Sequence, residues 1–274
     1  MPTNYGILEE KLSKLRRWLS APDPFQIHHK ALQDRLADTG MWFLRGEQYS
    51  KWKAGLEPFL WLYGIPGCGK SILCSAIIED ILQDSCNDSG KAAAYYYFSF
   101  SDSQHQVPEL MVRSLIDQFS KQCIQIPEGL HSLLSSDLDG RRQPTLDELL
   151  NMLHQMVQHF PTSYIVLDAL DECNDRPQLL RILEIMAGWD VQIIVSSRDE
   201  QDIRSSLKEL VDEDSVICLQ SKLVDKDICL YVRHRLSNDK KLKRWRNDLE
   251  VQQEVETQLT KNAHGMQVFL PLAS

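Results

Sequence analysis

Gly64, Ile65, Pro66, Gly67, Cys68, Gly69, Lys70 and Ser71 spell G-x-x-x-x-G-K-S, the signature of a phosphate-binding loop. A polyphosphate needs many donors and little steric bulk around it. Glycines at 64, 67 and 69 are expected to let the backbone take positive φ and approach the phosphates closely. The successive N–H groups then form an anion nest, reinforced by the positive end of the helix that starts near Lys70. Lys70 supplies a point charge to the β- and γ-phosphates, and the Ser71 hydroxyl suits Mg²⁺. Ile72, the next residue, is grouped with the loop as a nucleotide contact. A glycine turn with an incidental lysine does not account for Lys and Ser together at a helix start.

A second acidic group supplies what a phosphate loop alone lacks. The apolar run Tyr164-Ile165-Val166-Leu167 ends in Asp168-Ala169-Leu170-Asp171-Glu172. An apolar strand ending in Asp is the Walker B pattern, in which Asp168 holds Mg²⁺ opposite Ser71. Asp171 and Glu172 lie just beyond, where a carboxylate orients or deprotonates attacking water. Ala169 leaves room for the phosphate and metal. A further strand ends in Ser196-Ser197-Arg198. Its arginine is expected to sense the γ-phosphate or stabilise developing charge. The plainer alternative is a surface ion pair of Arg198 with Asp199 or Glu200.

These groups need a frame that brings distant segments to one edge. Five apolar runs read as strands: 59–63, 92–100, 164–168, 192–196 and 216–219. Helical patterns alternate with them over 72–83, 108–119, 145–160, 177–187 and 200–210. Thr145 and Glu148 have capping-box spacing. Strand-helix alternation implies an α/β fold, a three-layer αβα sandwich with a parallel five-stranded sheet. The expected order is 5-1-4-3-2, which sets strand four between the phosphate-loop strand and the Walker B strand. The organisation expected is an N-terminal helical and loop segment (1–57), a nucleotide-binding domain (58–220) and a small helical subdomain (221–274). In the first, Leu8, Leu12, Leu15 and Leu19 share a helix face that Pro22 and Pro24 end, and a loop carrying His28-His29 follows. These histidines are read as surface or capping groups.

The chain has 274 residues and a formal net charge of −9, which argues against general nucleic-acid binding. The basic run Lys240 to Arg246 with Trp245 has a nucleic-acid reading, but a solvated charged face is the commoner explanation. No apolar stretch is long enough to span a bilayer, and the N-terminus lacks a signal-peptide pattern, so a cytoplasmic location is expected. Seven scattered cysteines, without a metal-ligand spacing, read as reduced thiols. Cys68 stands apart because the surrounding nest has the means to lower its pKa, although a small residue that simply fits the loop is the commoner explanation.

Taken together, Gly64 to Ser71, Asp168 to Glu172 and Val195-Ser196-Ser197-Arg198 resemble the NACHT domain of the STAND class of NTPases. The segments Trp61 to Ser71, Tyr164 to Cys173 and Asp227 to Val232 resemble NACHT domains of filamentous-fungal NOD-like receptors. The resemblance covers about residues 15 to 265. It implies Mg²⁺ and ATP or ADP as cofactor, substrate and product, with GTP equally admitted, and a homo-oligomer as partner. It implies a base clasp at Trp42 and Phe43. It also implies that the chain ends inside the first helical subdomain, short of the winged helix that locks ADP in relatives and of their effector and repeat regions. Two functions follow as expectations: a Mg²⁺-dependent nucleoside triphosphatase, or an ATP-binding signalling switch with little turnover. A kinase acting on a small acceptor is a distant third.

Overall fold

The computed structural model describes residues 13–123 and 143–219, together with Asp227, Leu230 and His234. The expected helical subdomain 221–274, with its basic run 240–246, and Leu8 and Leu12 lie outside these residues apart from those three positions. Residues 13–19 are helical. Then come α1 (Phe25–Asp34), α2 (Met41–Leu44), α3 (Glu47–Lys53), β1 (Phe59–Tyr63) and α4 (Lys70–Asn87). They are followed by β2 (Lys91–Tyr97), α5 (Pro108–Gln122), α6 (Leu146–Gln158) and β3 (Thr162–Asp168). The series closes with α7 (Arg176–Ala187), β4 (Gln192–Ser197), α8 (Gln201–Leu207) and β5 (Val216–Cys218).

The sheet order is β2-β3-β4-β1-β5, and every pairing is parallel. This is the expected order. Alternate residues of each strand feed two hydrophobic clusters. Phe59, Trp61, Ile165 and Leu167 face α5, α6 and α7, while Leu60, Leu62, Tyr164 and Val166 face α4. Burial on both faces is why the strands read as continuous apolar runs. The capping box forms as expected: Thr145 N–H donates to Glu148 Oε2 at 2.7 Å, and Glu148 N–H donates to Thr145 Oγ1 at 3.3 Å.

β2 ends at Tyr97, three residues before the apolar run does, because β3, its only strand partner among the described residues, ends at Asp168, opposite Tyr97. Its free edge is covered by side chains. Gln118 and Gln122 of α5 pair their amides with the N–H and C=O of Tyr95 and Ala93, at 2.8–3.0 Å. That satisfies an edge that would otherwise invite another strand.

The N-terminal region departs from the expected loop. Three helices occupy residues 25–53, and Phe43, Tyr49 and Trp52 join the cluster on the α4 face. Trp52 is fully buried and donates its indole N–H to Ile193 O at 3.1 Å. The reading of both histidines as surface groups fails for His28, which α1 carries into the interior, whereas His29 stays exposed. Its Nδ1 lies 2.9 Å from Tyr97 Oη and its Nε2 3.1 Å from Glu79 Oε1. A loop assignment hid this, because only a helix seated on α4 puts residue 28 inward.

Burial lowers the His28 pKa below the ordinary 6.5, with Glu79 pulling the other way and His29 adding to the lowering. The unfolded chain therefore takes up the proton more readily. The stability contribution is complete above pH 6.5 and is lost as pH falls below it. Urea midpoints measured from about pH 7.5 down to about pH 5.5 are expected to fall more steeply for the wild type than for His28→Gln. Equal slopes would show that this histidine does not set the pH dependence.

Candidate nucleotide site

The loop between β1 and α4 sits at the carboxyl edge of the sheet. Gly67 and Gly69 have φ of +76° and +92°, and Gly69 is the N-cap of α4. Gly64 is not among the positive-φ residues, so its expected role is corrected. Space is what position 64 lacks: a Cβ there would lie 2.6 Å from Cys68 Sγ and 3.3 Å from Leu219 Cβ. Lys70 folds back on its own loop, donating from Nζ to Gly64 O at 2.8 Å and Ile65 O at 3.1 Å. Cys68 is buried, and that burial raises its thiol pKa despite opposing pulls from Lys70 and backbone N–H groups. Of the two readings of Cys68, a nest-activated thiol or a small residue that fits the loop, the raised pKa supports the second: desolvation outweighs the nest.

Asp168 ends β3 and is only 2% exposed. Ser196 of β4 donates its hydroxyl to Asp168 Oδ1 at 2.5 Å and accepts from Ala169 N–H at 3.0 Å. Ala169 takes left-handed backbone, φ 60° and ψ 52°, which turns the chain sharply off the strand. Burial pushes the Asp168 carboxyl up, while Ser196, Ser71, Cys74 and the Lys70 charge hold it down. Ser71 and Asp168 thus offer hard oxygen donors side by side. No group of three or more His, Cys, Asp or Glu side chains suited to a metal occurs among the described residues. A serine hydroxyl with one carboxylate fits Mg²⁺, which takes few protein ligands and completes its shell with phosphates and water.

The next two carboxylates separate in role. Asp171 is buried and occupied: its Oδ1 accepts from Arg198 N–H at 2.9 Å, and its Oδ2 forms an ion pair with Arg198 Nε at 2.9 Å. Arg198 therefore does not pair with Asp199 or Glu200, which bind Arg204 and Arg176 respectively. Both Asp171 oxygens thus face Arg198, and the carboxylate anchors the arginine. Glu172 is half-buried, and its Oε2 accepts from Phe100 N–H at 2.9 Å. Burial raises its pKa, the charges of Asp171 and Asp168 raise it further, and Phe100 N–H and Arg198 oppose.

At the clasp position, Phe43 is buried and Trp42 partly so. Trp42 Nε1–H donates to Asp227 Oδ2 at 3.1 Å, and Gly40 N–H donates to the same oxygen at 2.7 Å. Sequence reasoning missed two participants, Ser196 and Asp227. A polar residue ending an otherwise apolar strand was the available signal for Ser196. Asp227 lies 187 residues from Gly40, and no local pattern points from one to the other.

Residues 38–198 match the profile of the family described as Nephrocystin 3, N-terminal. The vegetative incompatibility protein HET-E-1 of Podospora anserina is 23% identical over 248 residues, covering 86% of this chain. The chain spans 18% of the length of that relative. Among solved structures, C. elegans PCH-2 aligns with a TM-score of 0.38 at 13% identity, over 96% of this chain and 60% of that one. A structure of Drosophila ORC bound to DNA aligns with a TM-score of 0.37 at 16% identity, over 82% and 52% respectively.

The contact between position 64 and Cys68 generates a test. Gly64→Ala is expected to weaken ATP binding about tenfold or more by calorimetry, because the new Cβ forces the loop to shift. Adding Cys68→Ala removes the obstructing sulfur and should restore most of the affinity. A double variant no better than the single would place the role of Gly64 elsewhere.

Proposed function

The chain belongs to the Nephrocystin 3, N-terminal family, a NACHT-related family, and on that premise we propose that it is a Mg²⁺-dependent nucleoside triphosphatase. Residues 58–220 form its nucleotide-binding domain, and it releases the terminal phosphate to water. The observation that carries the reading is convergence. Parallel strands β1, β3 and β4 end at one edge, so Lys70, Asp168, Glu172 and Arg198 all issue from that edge. Ligands of such sheets bind outside the carboxyl ends of the strands.

In this reading Lys70 leaves the Gly64 and Ile65 carbonyls for the β- and γ-phosphate oxygens, and the loop N–H groups take the rest. Ser71 and Asp168 hold Mg²⁺, which when bound neutralises phosphate charge. Glu172 accepts the proton of the attacking water. Its raised pKa suits a base, since a stronger base takes a proton more readily. Arg198, fixed by Asp171 at two points, directs its guanidinium toward the charge that develops on the departing phosphate. ATP is the substrate we favour, with GTP admitted and the diphosphate as product.

A nucleotide switch with little turnover is the second reading. One observation favours it: Lys70 and Glu172 are both satisfied by backbone groups of the protein itself. The assembly of such a switch would be homo-oligomeric.

Phosphate release in the presence of Mg²⁺ separates the readings. Lys70→Ala is expected to abolish it. Glu172→Gln is expected to lower kcat by roughly 10²–10⁴, as loss of a general base does, with nucleotide binding retained. Wild-type release no faster than that of Lys70→Ala would overturn the hydrolase reading. Nucleotide-dependent assembly by light scattering, without release, would establish the switch.

A further inference from the structure

Asp227 reaches the clasp corner from the far end of the chain. A single oxygen, Oδ2, accepts both Gly40 N–H and Trp42 Nε1–H, at 2.7 and 3.1 Å. Gly40 is the left-handed residue, φ 80°, that opens α2, so the direction of its N–H is fixed by the turn. The adjacent Thr39 carbonyl is engaged too, accepting from Arg35 Nε at 3.2 Å and Nη2 at 3.1 Å. Arg35 also attracts the Asp227 carboxylate.

The corner is continuous with the phosphate loop. Gly40, Trp42 and Asp227 line one small cavity together with Cys68, Gly69 and Ile72. A nucleotide whose phosphates lie on the loop would direct its base here. The cavity left with Asp227 in place is about 20 Å³. That is room for about one water and far too little for a purine. A half-buried carboxylate is costly unless hydrogen-bonded, and the two N–H donors satisfy it. Charge-assisted bonds of this kind are stronger than those a neutral ring nitrogen accepts.

We infer that Asp227 is a resident competitor for the base subsite. Its carboxylate holds the two donors that a nucleobase acceptor would take, and the base enters only when Asp227 withdraws. This rests on the nucleotide-binding reading above. The consequence is a reciprocal linkage: nucleotide displaces the Asp227 carboxylate, and anything that secures that carboxylate in the corner weakens nucleotide binding equally. Apparent affinity is reduced by the fraction of molecules in which the corner is open.

Calorimetric titrations of the full chain with MgATP and with magnesium tripolyphosphate, which has the phosphates and no base, test this. Asp227→Ala should tighten ATP binding by about tenfold and leave tripolyphosphate unchanged, since one freed donor pair is worth roughly one decade. Asp227→Asn, which keeps an acceptor oxygen without the charge, should fall between and decides the matter if the alanine variant does not fold. ATP affinity unchanged or weakened would overturn the competitor, as would equal tightening of tripolyphosphate, which would place the effect outside the base corner. Tripolyphosphate binding that is indifferent to Lys70→Ala would instead overturn the phosphate-loop reading, independently of Asp227.

Discussion

A carboxylate sealed at the end of a central strand is the constraint around which the site is built. Asp168 is almost wholly removed from water, and an unpaired charge there would cost several kcal/mol. Its partners come from two separate elements. Ser196 belongs to β4, while Ser71 and Cys74 belong to α4, whose first residue, Lys70, adds its charge. The same Ser196 oxygen accepts from Ala169 N–H, helping to hold an alanine in left-handed backbone that costs about 1–3 kcal/mol. That turn throws Asp171 and Glu172 away from the strand in different directions. One hydroxyl therefore ties the β3–β4 register, the exit of the chain and the charge state of the edge together.

Legibility in the sequence follows the range of the interactions. The five strands were readable because burial on both faces leaves continuous apolar runs, and alternation with helices implied parallel pairing, while their order was the one expected of a phosphate-loop fold. The Thr145–Glu148 box was readable because both partners lie within one turn. The end of β2 was not, because Ser99 and Phe100 stop pairing only for want of a partner beyond Asp168. His28 was misplaced because Pro22 and Pro24 suggested a loop after the first helix, whereas a new helix starts at Phe25 and packs on α4. The ion pair of Arg198 with Asp171 was hidden for a related reason. Nearer carboxylates at 199 and 200 looked like its partners until the fold gave them to Arg204 and Arg176. Gly64 was chosen for the right loop on the wrong ground, since its need for a missing Cβ depends on where Cys68 and Leu219 pack.

The position of Lys70 bears on how strongly such a loop can hold a ligand. An ammonium hydrogen-bonded to two carbonyls is already satisfied, each bond to a charged group contributing about 1.5–3 kcal/mol. A phosphate that draws Lys70 away gains only the difference between its own bonds and those lost. The Gly64 and Ile65 carbonyls are then left to find water or another donor. Glu172 is in the same condition, because releasing Phe100 N–H must accompany any turn of its carboxylate toward water. Phe100 is itself largely exposed, so that N–H finds solvent readily and the cost on this side is small. The buried arginine anchor is different. Asp171 has no access to water, so Arg198 cannot leave it cheaply. The edge therefore combines two groups that reorganise at low cost with one that is fixed. A site that must bind polyphosphate and then act on it is served by that division: the lysine and glutamate follow the ligand, while the arginine keeps its place.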